Sequence, residues 1–326
     1  MTLVSIALAT YNGEQYLPEL LDSLLSQTHR DLEICVSDDA STDSTPEILK
    51  RYQKQDRRIR VVVQSANLGY QKNFEAAIGM CQGEYIALCD QDDVWKPGKV
   101  ERLLEAIGQN LLIASDADIV DENLNLSGRT LADVYRLRQK VWTFRELLIK
   151  NRYTGCTMMF RDSLRSFALP FPRYLPHDWW LVLLAVDRDR FTFTNQNLTL
   201  YRQHQKNAIG VQDAVPELIR LKARLRPSMR AILDYHSRKL VRYLTIQHRM
   251  EQTGLSNNGR RAVQRLIRFH QGFFLRRIRP KAFVVAIWIS RVQGDTAPMI
   301  VIFGRAFKAL VGIKRPDLLQ QIKEQV

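Results

Sequence analysis

Val4-Ser-Ile-Ala-Leu-Ala9 and, after a short polar break, Glu14-Gln-Tyr-Leu-Pro-Glu-Leu-Leu-Asp-Ser-Leu-Leu-Ser-Gln27 open the chain, and their reading decides its fold. The first run is short and almost wholly apolar, as a strand covered on both faces must be. The second places Tyr16, Leu17, Leu20, Leu21, Leu24 and Leu25 at helical spacing. Outward from this pair the alternation repeats. Leu32-Glu-Ile-Cys-Val-Ser37 reads as a second strand, and Ser44-Thr-Pro-Glu47 begins a helix with a cap, a proline in its first turn and an acid nearby. Ile59 to Gln64 is a third strand, Gln71 to Cys81 a helix, and Tyr85-Ile-Ala-Leu-Cys89 a fourth strand. Four such steps predict an α/β protein with a doubly wound, mostly parallel sheet and helices on both faces.

Further on, Ile113 to Val120 predicts another strand, with Asp121-Glu-Asn-Leu-Asn125 as its turn. The middle region, from about Val141 to Gly210, carries Thr157-Met-Met-Phe160, Leu175-Pro-His-Asp-Trp-Trp-Leu181 and Asn197-Leu-Thr-Leu-Tyr201. Past Val215, arginine-rich helical patterns dominate. The 326 residues, 45% of them hydrophobic, suffice for a large core and exclude a disordered or fibrous chain. The formal charge of +14 is uneven: from Val215 on, 23 Lys and Arg face 6 Asp and Glu, a net +17, which leaves −3 for residues 1–214. Division into residues 1–214 and a basic helical extension, 215–326, is therefore expected. Such a block can face anionic lipid, nucleic acid or water.

Cys35, Cys81, Cys89 and Cys156 lack zinc-site spacing, and Cys35 and Cys89 sit in strand-like runs, so small core residues in a reducing compartment are expected. Leu3-Val-Ser-Ile-Ala-Leu8 is too short for a signal peptide and has no basic segment before it; a cytoplasmic location is the expectation.

In a doubly wound sheet, ligands bind beyond the carboxyl ends of the strands, and the polar clusters fall there: Asn12-Gly13, Asp38-Asp39 with Ser41 and Asp43, Asn67 with Gly69, and Asp90-Gln-Asp-Asp93. Three carboxylates within four residues repel one another unless a cation or water compensates them. A magnesium or manganese ion would do so and prefers oxygen ligands; a solvated acidic turn is the other reading. A carboxylate at Asp38-Asp39 can accept the imide N–H of a pyrimidine, with Thr10 and Tyr11 offering backbone and ring face to the base, or can simply cap a helix. Asp178, between His177 and Trp179-Trp180, is either a desolvated general base or a helix cap. Tyr201-Arg-Gln-His204 offers a cation for a diphosphate and an imidazole for a metal, although a lone loop histidine is commonly neither.

Taken in order, Ala9-Thr-Tyr-Asn-Gly13, Ser37-Asp-Asp-Ala-Ser-Thr-Asp43, Asn67-Leu-Gly69 with Asn73, Gly83-Glu-Tyr-Ile86 and Asp90-Gln-Asp-Asp-Val-Trp-Lys-Pro97 resemble the family 2 glycosyltransferases of GT-A fold, over roughly residues 3–210. The resemblance implies an inverting transferase using a divalent cation, Mg2+ or Mn2+. It implies a nucleotide-sugar site drawn from Thr10, Tyr11, Asn12, Asp39, Asn67, Lys72, Asp90, Gln91 and Arg202. Within that site Asp39 reads the pyrimidine, Asp90 and Asp92 form the DxD pair, and Asp92 and His204 are the metal ligands. Asp178 matches the acid that activates the acceptor hydroxyl, although His177 stands where a glutamate is commoner.

Asp90-Gln-Asp-Asp-Val-Trp95 and Tyr201-Arg-x-His204-x-x-Asn207 also resemble segments of bacterial rhamnosyltransferases. That similarity implies dTDP-L-rhamnose as donor and a glycan or lipid-linked acceptor in cell-surface polysaccharide synthesis; a UDP-hexose or UDP-N-acetylhexosamine is the alternative.

Phe273-Phe-Leu-Arg-Arg-Ile-Arg-Pro280 and Ala282-Phe-Val-Val-Ala-Ile-Trp-Ile289 interleave apolar and cationic residues and fall short of the roughly 20 apolar residues of a spanning helix. Peripheral contact with the anionic inner face of the cell membrane is expected. Nucleic-acid binding, the rival from another functional class, would need aromatic stacking platforms or a binding module, and neither is evident.

Overall fold

The computed structural model describes residues 2–139, 142–172, 174–204, 229–254 and 256–277, and the chain separates into two compact units, Met1–Ala214 and Val215–Val326. In the first, β1 (Val4–Thr10), α1 (Leu17–Leu25), β2 (Leu32–Asp38), α2 (Thr45–Gln55), β3 (Ile59–Val63), α3 (Tyr70–Met80) and β4 (Tyr85–Asp90) follow the expected alternation. There follow β5 (Val94–Trp95), α4 (Lys99–Ile107), β6 (Leu112–Val120), β7 (Leu126–Thr130), α5 (Leu131–Tyr135), α6 (Phe144–Ile149), β8 (Met158–Arg161), α7 (Arg165–Ala168), α8 (His177–Asp187) and β9 (Phe191–Arg202).

The sheet runs β3-β2-β1-β4-β8-β6-β9-β5, with β7 on β6. Its first four strands are parallel. Beyond them the sheet is mixed: β8 runs antiparallel to both β4 and β6, while β9 is parallel to β6. The antiparallel ladders hold only two or three residue pairs each, so most pairing is parallel.

Alternation along the strands sorts the core. Val4, Ile6 and Leu8 join Leu17, Leu20, Leu21 and Leu24 of α1 with the buried faces of α2 and α4. Helix α3 buries Phe74, Ala77 and Ile78 outside that cluster, against β1 and β2, and so covers the other face. All four cysteines are buried and free. The cap expected of Ser44 falls elsewhere: its side chain makes no capping bond, and the backbone N–H of Thr45 donates to Asp43 Oδ1 at 3.0 Å, a carboxylate one residue earlier doing the same electrostatic task.

Register aligns the strand ends. Ala9 pairs with Asp90, and Thr10 with Asp38, which brings Tyr11, Asp39 and Gln91 to one rim.

In the second unit, α9 (Met229–Thr253) and α10 (Asn257–Arg277) meet across Gly254 and bury Leu240, Tyr243, Ile246, Met250, Val263 and Ile267. Among the described residues no helix is long and apolar enough to cross a membrane. The apolar-cationic segment 282–289, the side chains of 273–277 and Asn207 lie outside the described residues.

Candidate active site

Backbone register alone would leave the rim loops loose; side-chain bridges lock them. Gln91 Oε1 accepts the backbone N–H of Tyr11 at 2.8 Å, and Gln91 Nε2 donates to the Tyr11 carbonyl at 3.0 Å. This two-way amide clasp needs Gly13, where a Cβ would overlap the Gln91 side-chain amide. Thr10 is buried and donates to Asp38 Oδ1 at 2.8 Å. Asn12, at φ 48°, receives no main-chain ladder; its N–H donates to Ser41 Oγ and its Oδ1 accepts from Thr42 N–H, both at 2.9 Å. Tyr11 is 46% exposed, so its ring is free to meet a planar base.

Asp39 is buried, and its two oxygens accept the N–H groups of Leu68 at 2.6 Å and Gly69 at 2.9 Å. It thus pins the loop after β3 to the end of β2 while each oxygen keeps a second lone pair. Asn67 closes that loop by accepting from Gly69 N–H at 3.1 Å. Lys72 is half-exposed and pairs with Glu75 at 2.6 Å; no described contact links it to the rim. Asn73, beneath, donates to the Thr10 carbonyl at 3.1 Å.

The acidic loop is the electrostatic centre. Burial, then the charges of Asp93, Asp92 and Asp178, push the Asp90 carboxyl well above the usual carboxylate range. Asp93 is pushed up to about 7 by burial and by Asp92. Beside them lies Lys99, fully buried, its Nζ donating to the Cys156 carbonyl at 2.5 Å and to Thr199 Oγ1 at 2.8 Å and standing 3.6 Å from the Trp95 ring centroid. Burial pulls its pKa down to about 8, which leaves it cationic at neutral pH. One ligand atom each of Asp90, Asp93 and Cys156 lies within 4.8 Å of the others. Lys99 already supplies positive charge there, and burial holds the Cys156 thiol protonated. A thiol is also the wrong donor for a hard cation.

The donors that suit magnesium or manganese lie at Asp92. His204 Nε2 sits 2.9 Å from Asp92 Oδ2, and the Tyr16 ring lies tilted against the imidazole at 4.8 Å between centroids. The carboxylate oxygen suits either ion, whereas the imidazole nitrogen suits manganese better than the harder magnesium. Arg202, expected at a diphosphate, is instead 2% exposed. Its Nε donates to the Asp92 carbonyl at 2.8 Å, Nη1 to the Glu122 carbonyl at 2.5 Å, and Nη2 to the Glu19 carboxylate, with the guanidinium 4.5 Å from the Tyr16 centroid. Those bonds make it the support of the acidic loop.

Asp178 is the second residue of α8. Its Oδ1 accepts from Trp179 N–H at 2.6 Å and its Oδ2 from Asn151 Nδ2 at 3.0 Å. Burial raises its pKa to about 6 against the opposing pull of these bonds. The local helix contact foreseen as a cap therefore coexists with a desolvated carboxylate that interacts electrostatically with Asp90. His177, the preceding residue, is buried and stacked on Phe74 at 4.1 Å, and burial keeps it neutral by pulling its pKa down to about 3. Asn151 and Lys99 escaped the sequence reading, since a single amide in a loop and a lysine in a first helical turn carry no local sign of burial.

A family model described as Glycosyl transferase family 2 matches residues 5–167. The putative teichuronic acid biosynthesis glycosyltransferase TuaG of Bacillus subtilis is 31% identical over 195 residues, 60% of this chain and 76% of that protein. An uncharacterized glycosyltransferase of Methanocaldococcus jannaschii is 30% identical over 209 residues, 61% and 70% of the two chains. Among solved structures, TarS 1–349 of S. aureus in complex with UDP-GlcNAc superposes at a TM-score of 0.55 and 17% identity, covering 99% of this chain and 84% of that one, a likeness of fold. With half its length matched to the family model and its strand-end motifs gathered on one rim, the chain belongs to glycosyl transferase family 2 and is a glycosyltransferase.

Proposed function

We propose that the protein is an inverting, metal-dependent hexosyltransferase whose donor is dTDP-L-rhamnose and whose acceptor is a hydroxyl of a glycan or lipid-linked saccharide in cell-surface polysaccharide synthesis. The observation that carries the chemistry is the placement of Asp178: a desolvated carboxylate whose pKa is raised to about 6, oriented by Asn151 and within electrostatic reach of Asp90. A base so tuned can take a proton from a hydroxyl as that oxygen attacks the anomeric carbon. Attack from the side opposite the leaving diphosphate inverts the configuration.

Asp92 and His204 would hold a divalent cation, which when bound neutralises charge developing on the diphosphate. The chain's own residues do the rest. Gln91 and Asn73 hold the Tyr11 loop open to the base, Asp39 keeps lone pairs for the pyrimidine imide, and Arg202 fixes the backbone of Asp92. L-rhamnose rests on the resemblance of the two segments around Asp92 and His204, and cell-surface polysaccharide synthesis draws support from the name of the TuaG relative. Residues 1–214 form the catalytic domain in this reading, and the basic extension, 215–326, docks on an anionic membrane face.

The test is donor binding and slow hydrolysis by purified protein with dTDP-L-rhamnose, UDP-glucose, UDP-N-acetylglucosamine and GDP-mannose, with Mn2+ or Mg2+. Preference for dTDP-L-rhamnose supports the whole reading. Preference for a UDP-sugar moves the donor to the alternative class, and binding of none overturns the site assignment.

A further inference from the structure

Groups that adjoin Asp178 surround the place the acceptor hydroxyl has to reach, because it must approach this carboxylate. Three such groups are drawn from separate elements. Asn151, which orients Asp178 Oδ2, is followed by Arg152, whose guanidinium lies 4.1 Å from the Trp142 ring centroid. Tyr135, at the end of α5, is only partly exposed, and its hydroxyl feels the charges of both Asp178 and Arg152. Tyr70, at the start of α3, is 47% exposed and also feels Asp178.

Arg152 is the group whose chemistry is unspent. Elsewhere in this unit the partly buried arginines are engaged: Arg58 with Asp56, Arg161 with Glu84, Arg165 with Asp162 and Arg202 with Glu19. Exposed arginines can rely on water. Among the described residues Arg152 has neither resource at its Nε, which is closed off from solvent without a hydrogen-bond partner, and no carboxylate pairs with its guanidinium. Contact with the indole face restrains the guanidinium without using its in-plane N–H groups. An unneutralised guanidinium fork, one residue from the amide that orients the base, is suited to a carboxylate or phosphate.

We infer that Arg152, held against the Trp142 ring and flanked by Tyr135, binds an anionic group carried by the acceptor, so that the acceptor is an acidic saccharide. This rests on Asp178 being the base of the transferase. The anion is a uronate carboxylate or a sugar phosphate; both offer two coplanar oxygens to the fork.

The test titrates methyl glucuronide, glucose 1-phosphate and neutral methyl glucoside into the full chain saturated with Mn2+ and whichever of dTDP or UDP it binds, so that the donor subsite is filled. The readout is the Trp142 indole N–H resonance, identified by its loss in W142F. At least one anionic ligand should bind on the order of 10-fold more tightly than the neutral glycoside, the loss expected for a charge-assisted pair. R152Q should erase that preference, while R152K, a point charge without the fork, should keep part of it. Whichever anion is preferred names the source. Equal binding of anionic and neutral glycosides, or a preference untouched in R152Q of unchanged melting temperature, would overturn the inference. Binding of dTDP or UDP in the same samples reports separately on the transferase reading, and the titration repeated without nucleotide still decides Arg152.

Discussion

His204 Nε2 and Asp92 Oδ2 stand 2.9 Å apart although 112 positions separate them in the chain. The last residues of β9 bring the imidazole to the acidic loop, where the tilted Tyr16 ring packs against it. Replacing either residue by alanine should weaken Mn2+-dependent nucleotide binding about 10- to 100-fold, the usual effect of altering a ligand set. EDTA should do the same to the wild type. Calorimetric titration of UDP and dTDP with and without metal checks this; equal affinities in H204A and wild type would remove His204 from the metal site.

For Asp178 the sign of the pH effect is fixed by its raised pKa of about 6. A base must be ionised, so turnover should fall about tenfold per pH unit below that value and level off above it. Burial sets this value, opposed by the hydrogen bonds from Trp179 N–H, the Asn151 amide and the Gly155 backbone, and the carboxylate it acts on is Asp90. The stability consequence runs the other way. A carboxyl whose folded pKa exceeds its unfolded value favours the fold at low pH, and that advantage is lost as pH rises from about 4 through about 6. D178N should therefore abolish turnover yet raise stability by roughly 1–3 kcal/mol at pH 8, with little change at pH 4. Paired urea melts at the two pH values would expose the opposite trend.

Arg202 predicts a structural phenotype. Its guanidinium serves two carbonyls and one carboxylate while nearly inaccessible, so lysine cannot reproduce the fork. R202K should cost about 2–4 kcal/mol in stability, as breaking a buried charged network does. A melting temperature within a degree of wild type would show that the guanidinium is not holding the loop.

Gly13 and Gln91 form a pair that a double-mutant cycle can read. G13A forces the Gln91 amide away and should break the clasp on Tyr11, weakening nucleotide binding roughly threefold to tenfold. With Q91A already present, the same change should cost much less, since nothing remains to collide. Strict additivity of the two effects would mean that the clasp does not shape the base site.

Much of this arrangement was readable beforehand. The strands from Val4 to Asp90 emerge because parallel strands covered on both faces must be nearly continuous in apolar residues, and such runs are local signals. The antiparallel insertion of β8 between β4 and β6 was not readable: Met158–Arg161 has the composition of any short buried strand, and its direction is set by how the chain returns from α6. Arg202 was misplaced for a related reason. An arginine near a metal motif has the right charge for a diphosphate, and only the packing of Tyr16 and Glu19 from α1 shows it already engaged.

Sequence by itself determined the βα alternation, the identity of the acidic loop and the candidate base, because each is written in neighbouring residues. Only the tertiary structure decided which carboxylate meets His204, that a buried Lys99 lies close enough to Asp93 to pull on its charge, and that Asn151 aims Asp178. Those are distances and burial depths between residues far apart in the chain, and they come into being only when the sheet closes its register.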